Sequence, residues 1–362
     1  MKPKLDVAAD IAEASTLPAA FYKSQEFYEA SKDKVFARSW QWVGDTDELK
    51  APGTVKPLTL LEGCLDEPLV ITRDYDDRLH VLSNVCTHRG MLVAESGDPN
   101  ARYLRCRYHG RRFGMDGCFQ AMPEFDGVKG FPSEKDHLPK IPFGLWGQDK
   151  WLFVSLEPRH ALEEVLRPIE ERVGWMPFRQ FYFDPGRARD YLVRANWVLY
   201  CDNYLEGFHI PYIHASLGSA LDYGTSELYG WCNLQLGIAA DGEAAFELPK
   251  DSPDYGKRVG AYYYWVFPNL MFNFYPWGLS VNVVRPLGPE LTKVSFLPYI
   301  WDAGKLEQGA GAALDRVERE DEVVVEAVQK GVKSRFYDRG RFSVKREQGV
   351  HHFHRLLAQA LA

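Results

Sequence analysis

The sequence predicts an α+β protein: a small all-β module set after an N-terminal helical segment and followed by a mixed domain. Three observations carry this. Short β-like runs broken by turns fill Trp40 to about Pro158. Four longer, aromatic or β-branched runs lie between Ala261 and Trp301, and helical, charge-rich text closes the chain.

Residues 1 to about 37 read as helical and polar, with Phe21, Tyr22, Phe27, Tyr28 and Phe36 offering an apolar stripe. In the β module, Leu69–Thr72, Leu79–Ser83 and Trp151–Leu156 are strand-like, punctuated by Gly53, Gly63, Asp76–Asp77 and Gly114–Gly117. His160–Val173 is charged and helical and reads as a linker. The stretch Asp202–His214 mixes helix formers with Pro211. Ala261–Phe267, Leu270–Phe274, Leu279–Val284 and Thr292–Trp301, separated by proline-containing turns, predict a meander in one antiparallel sheet. Helices are expected over about Leu314–Lys330 and Ser343–Leu361.

With 362 residues the chain has room for two or three domains. Its 46% hydrophobic and 26% charged content is that of a soluble globular protein. No apolar run approaches the roughly 18 residues of a membrane span, so no membrane association is expected. Met1–Ser15 lacks the apolar core of a signal peptide, which makes a cytoplasmic location the default. The net charge of −7 argues against nucleic acid as a partner. Six cysteines in such a chain read as thiols or metal ligands, not as a disulfide framework.

Four residues carry the first chemical signal. They stand as Cys86-Thr87-His88-Arg89-Gly90 and Cys106-Arg107-Tyr108-His109-Gly110, with 17 residues between the two ligand pairs. Two Cys and two His suit a tetrahedral zinc, or a [2Fe–2S] cluster in which two His replace two Cys on one iron. The pairing favours the cluster. A Rieske centre needs two loops that each give one thiolate and one imidazole, whereas zinc fingers usually group like with like. Gly90 and Gly110 follow the ligand pairs, where a tight turn would let backbone N–H groups point at cluster sulfurs.

At these residues the sequence resembles the Rieske non-haem iron oxygenases, and the resemblance extends over nearly the whole chain. In that family the Cys-x-His-Arg-Gly and Cys-x-Tyr-His-Gly loops hold the [2Fe–2S] Rieske cluster, assigning Cys86, His88, Cys106 and His109 to it. The second loop usually continues with Trp; here Arg111-Arg112-Phe113 follows Gly110. The resemblance implies a Rieske β domain of the iron–sulfur-protein type over 39–158 and a helix-grip catalytic domain over 159–362. Residues 1–38 would form a helical segment packed on the latter.

The second constellation centres on His209 and His214. Five residues apart, they lie about 140° apart on an ideal helix, too far round to share a metal unless Pro211 distorts the backbone. Spacing alone leaves packed or solvated histidines equally open. Two His plus one carboxylate with open positions form the facial triad of Fe(II) oxygenases. The segment matches the motif by which the resembled family holds a mononuclear Fe(II). That family takes its third ligand from a distant helix, which implies Asp321 in Glu320-Asp321-Glu322; spacing alone does not separate it from Glu318, Glu320 or Glu322.

Glu206 takes the position of a family acid that bridges an iron-ligating His to a Rieske His of the neighbouring subunit. A homotrimer follows from the resemblance. Asp202 stands where many relatives have an Asn that supports the site.

A di-iron carboxylate site would use two Glu-x-x-His pairs. Glu206…His209 is one, but Glu134…His137 is hemmed in by Pro132, Pro139 and Pro142 and reads as loop. A Rieske protein limited to electron transfer would leave the downstream half unexplained. Gly309-x-Gly311 lacks the third glycine and preceding strand of a dinucleotide fingerprint, so a separate NAD(P)H-dependent flavin or ferredoxin-type reductase should deliver electrons. His351, His352 and His354 read as surface or packing.

The run Cys201–His209 is most similar to the choline monooxygenase and carnitine oxygenase branch, which acts on quaternary ammonium compounds. The resemblance implies an O₂-dependent oxygenase, a monooxygenase before a dioxygenase. Aromatic faces hold such cations. Tyr200, Tyr204, Phe208, Tyr212, Trp231, Tyr263, Trp265, Phe272, Phe274 and Trp277 could supply them, with at least half expected to be sheet core. An aromatic ring is the rival substrate.

Overall fold

The computed structural model describes residues 5–214, 221–223, 226–309 and 314–362. Gly311 lies outside them, and with it the Gly309-x-Gly311 pair. The chain separates into two compact units, residues 40–159 and a second formed by the N-terminal 39 residues with 160–362.

In the first unit, frequent turns keep every strand short and divide them among three three-stranded sheets. One pairs Gln41–Asp45, Trp151–Val154 and Phe143–Trp146; another is the meander Val55–Leu60, Glu67–Arg73 and Leu79–Ser83. The third joins Leu104–Arg105, Arg112–Phe113 and Phe119–Ala121. Val55, Val70, Leu82, Val93, Leu104, Phe113, Met115 and Leu138 form its core, and Cys86 and Cys106 are buried within it.

Among the described residues, the second unit is built on a nine-stranded sheet. Cys232–Ala239, Val259–Val266, Leu270–Tyr275, Gly278–Gly288 and Leu291–Ile300 pair antiparallel in chain order. The four expected runs are all present, within a few residues of their anticipated ends. Most of their residues are buried on both faces, because helices cover the sheet.

Six helices matter here: α1 (Gln25–Ser31), α2 (Leu162–Val173), α3 (Trp197–Tyr204), α4 (Ile210–Ile213), α5 (Leu314–Gly331) and α6 (Gln348–Leu361). Helices α3 and α5 pack together, and α3 also packs on the sheet. The arrangement is a helix grip, an antiparallel sheet folded about a long helix.

Two local expectations need correction. Among the described residues of the N-terminal segment, helix is limited to a 3-10 turn at Phe21–Lys23 and to Gln25–Ser31, which continues as a π turn over Lys32–Phe36. Before it the backbone runs against the C-terminal part of the chain: Ser15 bridges Arg341, and the Thr16 N–H donates to the Gly340 carbonyl at 3.1 Å. Those tertiary bonds satisfy groups that a helix would have paired internally. Helix α2 is no linker either. Val165, Leu166, Ile169 and Val173 are buried on one stripe, and Arg172 ties the helix to Glu227 (2.9 Å) and Asp254 (2.5 Å).

Candidate active site and cluster-binding loops

The two Cys–His loops fold alike because their sequences are alike. In each, a glycine in the left-handed region ends the turn: Gly90 has φ +74° and Gly110 has φ +75°. The Gly90 N–H donates to the Cys86 carbonyl and the Gly110 N–H to the Cys106 carbonyl, both at 3.0 Å. The glycine N–H groups therefore close the turns rather than face sulfur. The backbone N–H that reaches the Cys86 sulfur is that of His88.

Both cysteines are buried, and burial pushes the Cys86 thiol up, with the neighbouring Cys106 adding to the rise. The His88 and His109 rings stand edge to face, 4.6 Å between centroids. Two sulfurs on one side and two imidazoles side by side is the donor set a Rieske [2Fe–2S] cluster takes, and the residues fit it. Arg111, in place of the usual Trp, is 2% exposed and packs its guanidinium over Phe113, Phe119 and Phe131. It is held by Asp136 Oδ1 at 2.5 Å, while the Thr87 hydroxyl donates to the Asp136 carbonyl at 2.9 Å.

In the second unit, α3 ends at Tyr204 and α4 begins at Ile210. The break lies at residues 205–209 rather than at Pro211, which occupies the first turn of α4 where its missing N–H costs nothing. Glu206 organises the break: its Oε2 accepts the N–H groups of Phe208 and His209, the latter at 3.1 Å. Its Oε1 lies 2.6 Å from His209 Nδ1.

The turn brings the two histidines together, ring centroids 5.3 Å apart. Asp321, from α5, meets both: its Oδ1 is 3.0 Å from His214 Nε2 and 3.4 Å from His209 Nε2. One donor atom from each of His209, His214 and Asp321 falls within 4.8 Å of the others. Each histidine is held from behind at Nδ1, His209 by Glu206 and His214 by Glu320 at 2.7 Å, so both Nε2 atoms face inward. These residues fit a mononuclear iron with two imidazoles, one carboxylate and open positions.

Burial disfavours a charged His209 ring, yet its bonds to Asp321 and Glu206 prevail and lift it to about 9. Burial likewise opposes the Asp321 carboxylate, and the two histidines outweigh it and hold it low.

The triad opens into a cavity lined by both amide and aromatic side chains. Sheet alternation explains the polar row. Gln235 pairs Tyr263, Tyr263 pairs Asn273, and Asn273 pairs Ser280, so these side chains share one face, with Asn282 two residues beyond Ser280. Of the ten aromatic candidates, Tyr200, Tyr204 and Tyr263 line the cavity, and Tyr275 and Phe296 join them. Trp265, Phe272, Phe274 and Trp277 are buried core, Phe208 and Tyr212 are exposed, and Trp231 packs on His160 and Phe267. The signal that marks Gln235, Asn273 and Asn282 in the sequence is an amide recurring inside otherwise apolar strands.

Asp202 faces away from the triad and bonds His354 of α6. His351 and His352 bond backbone carbonyls of Ala8 and Gly230, at 2.8 and 2.9 Å. All three histidines serve packing.

Comparison with known proteins agrees with this geometry. Residues 39–132 match the Rieske [2Fe-2S] domain, and residues 175–362 match the ring hydroxylating alpha subunit (catalytic domain). The chain is 30% identical to a chloroplastic choline monooxygenase of Arabidopsis thaliana, over 98% of this chain and 85% of that one. It is 28% identical to the carnitine monooxygenase oxygenase subunit of Escherichia coli K12, over 96% and 94%.

Among solved structures, a quaternary ammonium Rieske monooxygenase superposes with TM-score 0.78 at 25% identity over the whole of both chains. A naphthalene 1,2-dioxygenase from Rhodococcus shares the fold, with TM-score 0.73 at 18% identity over 96% and 94%. Two matched Cys–His loops in one unit and a two-histidine, one-carboxylate cluster in the other thus have a single explanation: this chain belongs to the Rieske non-haem iron oxygenases, with a [2Fe–2S] domain and a mononuclear-iron catalytic domain.

Proposed function

We propose that this chain is the terminal oxygenase of a system that hydroxylates a small quaternary ammonium compound. The observation that carries the reading is the cavity: the His209–His214–Asp321 cluster opens directly onto Tyr200, Tyr204, Tyr263, Tyr275 and Phe296. Aromatic faces hold a cation that offers no hydrogen-bond donor. Relatives that act on choline and carnitine support the substrate class.

When bound, the cluster on Cys86, His88, Cys106 and His109 supplies single electrons, and iron on His209, His214 and Asp321 supplies dioxygen chemistry. The protein's own groups do the positioning. Glu206 and Glu320 fix the two imidazoles at Nδ1, and the apolar and amide lining holds the substrate's C–H beside the triad. Overall, one oxygen atom enters a C–H bond and the other leaves as water, using two electrons and two protons. Where the attacked carbon adjoins nitrogen, the product can collapse with C–N cleavage.

The electrons come from a separate NAD(P)H-dependent flavin or ferredoxin-type reductase. In this reading the assembly is a homotrimer in which Glu206 links His209 to a Rieske histidine of the neighbouring subunit, and Asp202 supports the helix that carries it. No helix among the described residues is long and apolar enough to cross a membrane. A cytoplasmic setting, where thiols stay reduced, suits a chain whose six cysteines form no disulfide.

The test is a single turnover. The reduced holoenzyme, freed of reductant, is mixed with O₂ and a panel of choline, betaines, carnitine, benzoates and other aromatic rings, and products are read by mass spectrometry. Product from a quaternary ammonium compound alone supports the reading. Product only from aromatic rings overturns the substrate class and leaves the oxygenase chemistry standing.

A further inference from the structure

Beside Asp321 of the triad and Glu206 behind His209, the cavity wall holds one further carboxyl. Glu318 stands on α5 one turn before Asp321, lines the cavity and is 5% exposed. The Tyr200 hydroxyl lies 2.9 Å from one of its carboxylate oxygens and 2.7 Å from the other. Burial pushes its carboxyl up to about 8, and a positive charge alongside would favour the ionised form. Among the described residues no cation pairs with Glu318, and a neutral hydroxyl only partly offsets the cost of burying a carboxylate. A cation placed in the cavity would complete it.

We infer that Glu318 is the counter-anion for the positively charged nitrogen of the substrate, and that the far end of that substrate carries no charge. The inference rests on the quaternary ammonium reading above and narrows it to cations of the amino-alcohol type. Glu206, Glu318 and Asp321 all line the cavity. With a divalent ion on the triad and Glu318 ionised beside a bound cation, three carboxylates leave one surplus negative charge. That surplus attracts a trimethylammonium group and repels a substrate carboxylate.

The rest of the lining agrees. Tyr263 and Tyr275 stand edge to face, 5.9 Å between centroids, and offer ring faces to methyl groups. Gln235, Asn273 and Asn282 offer neutral amides, which suit a hydroxyl and lack the charge to offset a carboxylate.

Calorimetric titration of the resting holoenzyme, without electron donor, separates these ideas. The probes are choline, its neutral carbon isostere 3,3-dimethylbutan-1-ol, and glycine betaine. Wild type should prefer choline over the isostere by about 30-fold or more, and over glycine betaine as well. Glu318→Gln should lose the choline preference while its affinity for the isostere stays put, and Glu318→Asp should restore part of it. Matched iron content and circular dichroism show that the variants are folded.

A Glu318→Gln enzyme that still discriminates as wild type does overturns the counter-anion role and leaves the substrate class intact. Glycine betaine binding as tightly as choline overturns the uncharged far end. Wild type that binds neither cation sinks the substrate reading itself, and this inference with it.

Discussion

His354 holds Asp202 at 2.9 Å from its Nε2 while its Nδ1 accepts the Leu17 N–H at 3.3 Å. Because Nδ1 is an acceptor, the ring is the neutral Nε2–H tautomer, and the buried carboxylate faces a dipole rather than a cation. Burial pushes Asp202 up despite that bond. A carboxyl raised on folding contributes stability at acid pH and loses it as pH climbs through the folded-state value. Asp202→Asn should therefore raise the melting temperature at neutral pH, with the gain shrinking toward about pH 4. His354→Ala, which removes a hydrogen-bond donor from the carboxylate, should cost about 1–3 kcal/mol. Thermal melts across pH check both.

Asp321 is the only carboxylate that meets both inward-facing Nε2 atoms among the described residues. Asp321→Ala should lose one iron per chain and keep acid-labile sulfide and the visible spectrum of the Rieske cluster. Iron and sulfide assays on the purified variant decide this, and loss of sulfide as well would reassign the residue to folding.

Glu206 holds His209 from behind and closes the turn between α3 and α4. Replaced by Ala, with Fe(II) supplied in excess, it should leave both iron centres occupied and lower turnover by about 100-fold or more. A variant with wild-type turnover would remove Glu206 from the electron path.

Without metal, His209 stays cationic up to about pH 9. A metal must displace that proton, so affinity for Fe(II) or Co(II) should climb with pH and level off above about 9. Competition against a chelator at several pH values measures it, and a flat profile would mean that Glu206 and Asp321 do not hold the ring protonated.

Arg111 and Asp136 form a buried pair beside the first cluster loop. Asp136→Ala leaves a guanidinium among three phenyl rings and should destabilise the unit by about 3–5 kcal/mol. Replacing Arg111 with the family's Trp removes a positive charge and should lower the cluster's reduction potential, as read by a redox titration.

The metal donors were legible in the sequence because their chemistry depends on residue type and local spacing. Cys86-x-His88 and Cys106-x-x-His109 differ by one residue yet make the same turn, since each ends in a glycine that tolerates positive φ. The four long strands were legible for a similar reason, as runs of bulky residues between proline-bearing turns. The charge-rich helix α5 was not. Glu318, Glu320, Asp321 and Glu322 stand within two turns of one helix, and nothing local ranks them.

Packing does rank them. With about 100° between successive residues, the angle at which α5 docks against α3 turns Asp321 to both histidines, Glu320 to the back of His214 and Glu318 into the cavity. The same holds for Gln235, Asn273 and Asn282, which strand pairing aligns across residues far apart in the chain. The sequence by itself determined which atoms can bind iron. Only the tertiary structure decided which carboxylate binds it and which are left to meet the substrate, because side-chain direction is set by how helix and sheet pack.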